Sequence, residues 1–432
     1  MRPNRLPVLL FATAILLMSG SVLWLVVEMN RATPDTVSIQ SAPKPKESRG
    51  NLAPSVMPQR LSEGVVTPAP SPSALPAIAT LNVPGSLPNE ALLTFRTPEA
   101  LAAFRDRAAA LGLEVLGYDA KLRTARVRFS DTSALERDLN EHAADYTHVG
   151  PNYLARIPGL PAQTDTANAG GREPFRGQGL DAIGAAGNRS GWGQGVTVAV
   201  IDSGIAAHPS LKDAQITHID LVNDGSTMNG HGTAMASLIA GNDTSVGGVA
   251  PAAKLLDIRV ADTNGDSNTA LLSSAIVKAT DLGARVINIS LGSSGSSPVL
   301  EEAVRYAQSR NVVIVAAAGN EQQAALSMPA GLSGVLSVGA VDANGTQAWF
   351  SNSGNGLTLV APGVGIVSGY AENKLVIGSG TSQAAAITSG AVAYLLGRGY
   401  YGPNIIPLLT RTAKPLGAPN SAVGAGLIQV TK

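Results

Sequence analysis

Between residues 196 and 361 the chain repeats one pattern: a short apolar-rich run, a Gly-rich turn, then a stretch with helical spacing. The runs are Val196–Ile201, Leu255–Val260, Val286–Ile289, Val312–Ala318, Val335–Val341 and Leu357–Ala361. A strand covered on one face alternates apolar with polar residues, whereas strands covered on both faces read as nearly continuous apolar runs. With helices predicted at Ala270–Leu282 and Val299–Ser309 between them, the pattern predicts an α/β fold: a parallel sheet covered by helices. In such sheets function sits where strands end and the next loop or helix begins.

The chain ahead of this region differs. Arg2 and Arg5 precede an uncharged, mostly apolar stretch from Leu6 to Val27. As a helix it would reach about 33 Å, enough to span a hydrocarbon core of about 30 Å. Trp24-Leu25-Val26-Val27-Glu28 offers no small-x-small cleavage site, so residues 1–30 are read as a transmembrane signal anchor, with a cleaved signal peptide as the alternative. Residues 31–87 are rich in Pro, Ser, Ala and Thr without periodicity, which predicts an extended linker. Residues 88–158 regain pattern. A strand at Ala91–Phe95 leads to a helix opening at Pro98 and ending at Gly112. A hairpin (Leu113–Leu116, Arg123–Phe129) follows, then a helix capped by Thr132 or Ser133 and a strand Val149–Ile157. The order β-α-β-β-α-β suggests a small ferredoxin-like α+β domain.

Composition removes several function classes. Lys plus Arg and Asp plus Glu are 31 each, and aromatics are only 4%. Neither a cationic surface nor a base-stacking platform is indicated, so nucleic acid is not an expected partner. There is no cysteine, which excludes disulfides, thiolate metal sites and thiol nucleophiles.

Three segments at predicted strand or loop ends carry chemistry. Val200-Ile201-Asp202-Ser203-Gly204 closes a strand with a carboxylate; Asn229-Gly230-His231-Gly232-Thr233 places an imidazole before the run Ala234–Ala240. Gly378-Ser379-Gly380-Thr381-Ser382-Gln383-Ala384 places a hydroxyl at the start of a helix of small residues. A serine hydroxyl is a weak nucleophile until an imidazole takes its proton. That imidazole in turn needs a carboxylate to fix its tautomer and stabilise its cation. Taken singly, Asp202 fits a turn or cap, His231 a structural histidine, and Ser382 one serine among many. His142 and His148 fall in the small domain, and a surface-loop role fits His208 and His218, which lack the flanking glycines and following helix.

The order Asp, His, Ser within D-S-G, G-H-G-T and G-T-S resembles the subtilisin-like serine proteases. The likeness runs over roughly residues 178–430. Val286–Gly292, ending in Ser290, Leu291 and Gly292, is similar to the family strand that pairs with substrate. Ala316-Ala317-Ala318-Gly319-Asn320 is similar to the wall of the main specificity pocket and its oxyanion asparagine. Gly248–Pro251, Phe350–Asn352 and Val360–Gly363 match further family landmarks of structural kind. The resemblance implies a subtilisin-like peptidase domain over 159–432 and a serine endopeptidase acting on polypeptides. Its triad would be Asp202, His231 and Ser382, its oxyanion donor Asn320, and its substrate-binding residues Ser290, Leu291, Gly292, Ala317, Ala318 and Gly319. No cofactor or catalytic metal is implied. The apolar wall hints at tolerance for sizeable apolar side chains before the cut bond.

Val149–Arg156 is similar to the end of the family's inhibitory propeptide. Residues 88–158 would then be a propeptide domain bound in the cleft, with self-cleavage between Arg156 and Phe175 and a protease held outside the cytoplasm at the membrane, or released from it. Two departures stand out. Relatives usually carry proline where Ala386 stands, and the loop Asn242–Gly247 is shorter than many relatives' calcium-binding loop, so a structural calcium there is doubtful. The rival readings are an idle subtilisin-like fold used for binding and an α/β-hydrolase. An intact triad and oxyanion asparagine count against the first, and the lack of any G-x-S-x-G elbow against the second.

Overall fold

Residues 81–158 and 171–430 are described by the computed structural model. The predicted anchor, most of the linker and the middle of the 157–175 connection lie outside the described residues.

The small domain contains β1 (Ser86–Phe95), α1 (Pro98–Ala108), β2 (Leu113–Asp119), β3 (Thr124–Phe129), α2 (Thr132–Glu141) and β4 (Tyr146–Arg156). Its strands form an antiparallel sheet in the order β4-β1-β3-β2, the predicted ferredoxin-like path. Residues 81–87, placed in the linker by sequence, belong to this structure instead: Leu81 is fully buried, and Ser86 and Leu87 open β1. Asp131, and neither Thr132 nor Ser133, caps α2, accepting the Ser133 N–H at 3.0 Å. An aspartate oxygen one position earlier reaches the free amides of the first turn.

The larger part holds a one-turn α3 (Gly179–Ala182), then β5 (Thr197–Asp202), β6 (Ile216–Asp220), α4 (His231–Ala240), β7 (Lys254–Arg259), β8 (Asp266–Asn268), α5 (Thr269–Asp281), β9 (Val286–Ile289), β10 (Gly292–Ser293), α6 (Pro298–Ser309), β11 (Val313–Ala317), β12 (Leu336–Val341), β13 (Leu359–Pro362), β14 (Ile366–Tyr370), β15 (Lys374–Gly378) and α7 (Thr381–Gly397). Seven strands form one sheet in the order β13-β12-β11-β9-β5-β7-β6, parallel throughout.

Every residue of β11 and β12 is buried, so both faces of the sheet are covered, as the continuous apolar runs demand. Helix α7 crosses β9, β11, β12 and β13 with α4 beside it, while α5 and α6 pack together against β5 and β11. All residues of α7 from Thr381 to Leu396 are buried; a helix whose first half is mostly Ala, Ser, Thr and Gly can lie this close to its neighbours. Ala386, at the position where relatives have proline, is fully buried in that packing.

One strand joins the two parts by backbone pairing. β4 pairs with β1 inside the small domain, and its last residues also pair antiparallel with β8 and β10 of the larger part. Leu154, Ala155 and Arg156 stand opposite Asn268, Ser267 and Asp266, and Arg156 and Ala155 stand opposite Gly292 and Ser293.

Candidate active site

Asp202 is the last residue of the central strand β5 and is fully buried. Both its carboxylate oxygens meet His231 Nδ1, at 2.8 and 2.9 Å, and Oδ1 also accepts the Ser203 N–H at 2.8 Å. His231 opens α4 after Gly230, whose φ of 94° lies in the left-handed region that favours glycine. A Cβ on Gly230 would lie 2.5 Å from the Tyr370 ring, and one on Gly232 would lie 2.5 Å from the Gly204 carbonyl oxygen. The glycines flanking His231 therefore let its turn sit against both the loop after Asp202 and β14.

Ser382 lies in the first turn of α7, which packs against α4. Its hydroxyl donates to the Ser290 carbonyl at 3.2 Å. Asn320 is oriented by its neighbour in space: its Oδ1 accepts both the Thr381 N–H at 2.9 Å and the Thr381 hydroxyl at 2.8 Å. That leaves Nδ2 as the outward group. A Cβ built on Gly380 would stand 2.7 Å from Gln383 Oε1, 3.1 Å from Asn320 Nδ2 and 3.7 Å from the Ser382 nitrogen. The Asn320 amide and the Ser382 N–H thus lie near one another at the start of α7, where Gly380 leaves no room for a side chain.

The expected substrate-binding residues lie at and just beyond the ends of the neighbouring parallel strands β9 and β11. Ser290 and Leu291 are buried and Gly292 forms β10, opposite Arg156. Ala317 and Ala318 are buried at the end of β11. The wall is apolar through Ala318 but polar beyond it. Gly319, at φ 108°, turns against Glu321, Ser327 and Asn352, and Asn352 Nδ2 donates to Glu321 Oε2 at 2.8 Å. Glu321 and Ser327 lie on the β11–β12 connection and Asn352 on the β12–β13 connection, so the run of letters did not reveal their meeting.

Three groups around the site were missed in the sequence. Thr381 aligns Asn320, and its hydroxyl also accepts the Gly319 N–H at 3.1 Å; the G-T-S motif names it without giving its task. Tyr370 donates to the Asn229 carbonyl at 2.6 Å, and burial together with the nearby Asp202 charge pushes its phenol well above the ordinary range. Asp257, fully buried on β7, accepts the Ile205 N–H at 2.9 Å and pairs with His218 Nδ1 at 2.6 Å. Burial raises its carboxyl, and the Asp202 charge adds to that against the two hydrogen bonds.

The surface-loop reading of His208 is corrected. The ring is buried because it caps the short 3-10 turn Pro209–Leu211: Nδ1 takes the Ser210 N–H at 3.1 Å, and Nε2 meets the Lys374 carbonyl at 3.1 Å. Burial lowers its pKa against that carbonyl bond. His218 is exposed, but it belongs to strand β6 and pairs with Asp257.

Comparison with known proteins agrees with this geometry. Residues 193–426 match the model of the subtilase family. The chain is 40% identical over 246 residues to a thermostable alkaline protease of Halalkalibacterium halodurans, covering 56% of this chain and 68% of that protein. It is 38% identical over 252 residues to Subtilisin Savinase of Lederbergia lenta, covering 56% of this chain and 92% of that one. The crystal structure of fervidolysin from Fervidobacterium pennivorans, a keratinolytic enzyme related to subtilisin, superposes with a TM-score of 0.68 at 26% identity, over 80% of this chain and 60% of that one. With the parallel sheet, the paired Asp202 and His231 and these matches together, the chain belongs to the subtilase family.

Proposed function

We propose that this chain is a serine endopeptidase working through an acyl-enzyme, with Ser382 as nucleophile, His231 as general base and Asp202 as its orienting carboxylate. The observation that carries the assignment is the buried pairing of Asp202 with His231 Nδ1, with Asn320 tied to Thr381, the residue next to Ser382. Ser382 Oγ attacks the peptide carbonyl carbon while its proton passes to His231 Nε2. Asp202, bonded to Nδ1, stabilises the imidazolium. The carbonyl oxygen becomes negative beside Asn320 Nδ2 and the Ser382 N–H, donors already in place that stabilise it without reorganisation. The C–N bond then breaks, His231 hands its proton to the departing amine, and water repeats the sequence on the ester to free the acid and Ser382.

Residues up to Arg156 form, in this reading, an inhibitory propeptide whose tail lies in the cleft as a substrate would. Supporting it are the pairing of β4 with β8 and β10 and the 80% coverage by the fervidolysin likeness, a share larger than residues 171–430 alone supply. Self-cleavage falls between Arg156 and Phe175, and residues 1–30 anchor the precursor with the protease outside the cytoplasm. Catalysis calls for no metal. At the short loop Asn242–Gly247, the Arg189 guanidinium donates to the carbonyls of Ala185 at 2.8 Å, Gly187 at 3.3 Å and Gly248 at 3.1 Å. None of these carbonyls belongs to the loop itself, but the guanidinium lies beside it, and a fixed positive charge there counts against a second cation, which supports the reading without calcium at that place. The expected result is a thermal midpoint insensitive to chelator but lowered by Arg189→Met, read by differential scanning calorimetry.

The test uses the chain lacking residues 1–30, treated with a fluorophosphonate beside its Ser382→Ala variant. Labelling and self-removal of the small domain are expected in the parent and neither in the variant. Labelling at another serine, or equal processing of both, overturns the assignment.

A further inference from the structure

The strand lodged in the cleft shows which side chains a bound polypeptide presents and to what. Backbone pairing with β8 and β10 is blind to sequence, so selectivity must come from side-chain contacts along the strand. Arg156 stands opposite Gly292 on one side and Asp266 on the other. Its Nε lies 2.6 Å from Asp266 Oδ1 and its Nη2 3.4 Å from Oδ2, a two-pronged ion pair across the domain boundary.

Asp266 is held in place by its own loop. Asp262 Oδ1 accepts the N–H groups of Asn264 at 2.8 Å and Asp266 at 2.9 Å, and Asp262 N–H donates back to the Asp266 carbonyl at 3.0 Å. Thr263 is tied to the segment before His231, since its carbonyl accepts from Asn229 Nδ2 at 2.8 Å and its hydroxyl donates to the Thr227 carbonyl at 3.0 Å. Gly265, at φ 83°, accepts the Ile157 N–H at 2.9 Å, and a Cβ there would stand 3.3 Å from Ile157 Cβ. The loop therefore fixes the strand's register and presents one carboxylate to one residue of it.

We infer that Asp266 is a specificity-determining residue, selecting Lys or Arg over Asp or Glu on the substrate residue that takes the place of Arg156. The inference rests on the reading above, in which β4 lies as a substrate does. Both side chains are partly exposed, at 57% and 37%, so the preference has the size of a surface ion pair, about two- to five-fold in cleavage frequency, and it weakens with salt.

The experiment digests an unfolded mixed-sequence protein with the self-processed enzyme, with Asp266→Asn and with Asp266→Lys, and maps the cuts by mass spectrometry of the new termini. At a single position upstream of the cut, the parent should enrich basic over acidic residues at low salt. Asp266→Asn should flatten that profile and Asp266→Lys invert it, while high salt should blunt both biases. Abundant cuts with the same profile in the parent and Asp266→Asn overturn the inference and leave the protease reading standing. A parent that neither cuts nor takes up fluorophosphonate overturns the protease reading, and the inference falls with it.

Discussion

Thr381 touches no reacting atom in the proposed mechanism, yet one hydroxyl hydrogen-bonds Asn320 Oδ1 and the Gly319 N–H together. An amide side chain has two ends, and only a partner on the oxygen guarantees that the nitrogen faces the developing oxyanion. Asn320→Ala should lower kcat about 10²–10³-fold with little change in KM, a magnitude known from subtilisin itself and not obtained from this geometry. Thr381→Val keeps the backbone bond to Asn320 but loses the hydroxyl, and kcat should fall by only about three- to ten-fold, the worth of one ordinary hydrogen bond. Steady-state kinetics on both variants separates the donor from its positioner. Gly232→Ala drives a Cβ against the Gly204 carbonyl; the strain should cost about 1–3 kcal/mol of stability, seen in urea unfolding of the Ser382→Ala background.

At the scale of elements, helices and long strands were legible because their signals are local. Ser297 before Pro298 opens α6, accepting the Leu300 N–H at 3.3 Å, and Asn268 opens α5 in the same way. The buried parallel strands declared themselves by lacking alternation. The hairpin of β14 and β15 pairs with itself but was not read from its residues, and the two- and three-residue strands β10 and β8 have no local signature: they exist through pairing with β4, far along the chain. The site was legible in part for the same reason. Asp202, His231, Asn320 and Ser382 sit in short motifs, whereas Tyr370, Asp257 and the Glu321–Asn352 contact depend on loops brought together only by the sheet. Asn152 of β4 is another such case. Fully buried, it accepts from Ala270 N–H at the start of α5 at 3.1 Å and donates to Glu90 at 2.9 Å. Asn152→Ala should destabilise the joined domains by about 1–3 kcal/mol, because two buried polar groups lose their partner. Calorimetry on the uncleavable Ser382→Ala chain reads this directly.

At the scale of the whole molecule, a charge cluster inside the small domain, joined to the start of α5 only through Asn152, responds to acid. Glu90 is buried, which alone would raise its carboxyl. The hydrogen bonds from Arg126 and Asn152, with further help from Arg128, outweigh that and hold it below the ordinary value of 4.5. A depressed carboxyl stabilises the folded state fully above its unfolded pKa and loses that stabilisation as pH falls through the folded value. The thermal midpoint of the Ser382→Ala chain should therefore be level near neutrality and drop below pH 4.5, with a smaller drop in Glu90→Gln.

In the proposed reading the strand between β8 and β10 belongs to the same chain as the cleft it fills, so its hold there is unimolecular while residues 157–175 stay continuous. Occupancy is then the same at nanomolar and micromolar enzyme. One cut in that connection makes the contact bimolecular, and dilution alone decides how many clefts stand empty. The onset of proteolysis should accordingly show a lag that shortens as the cleaved sample is thinned.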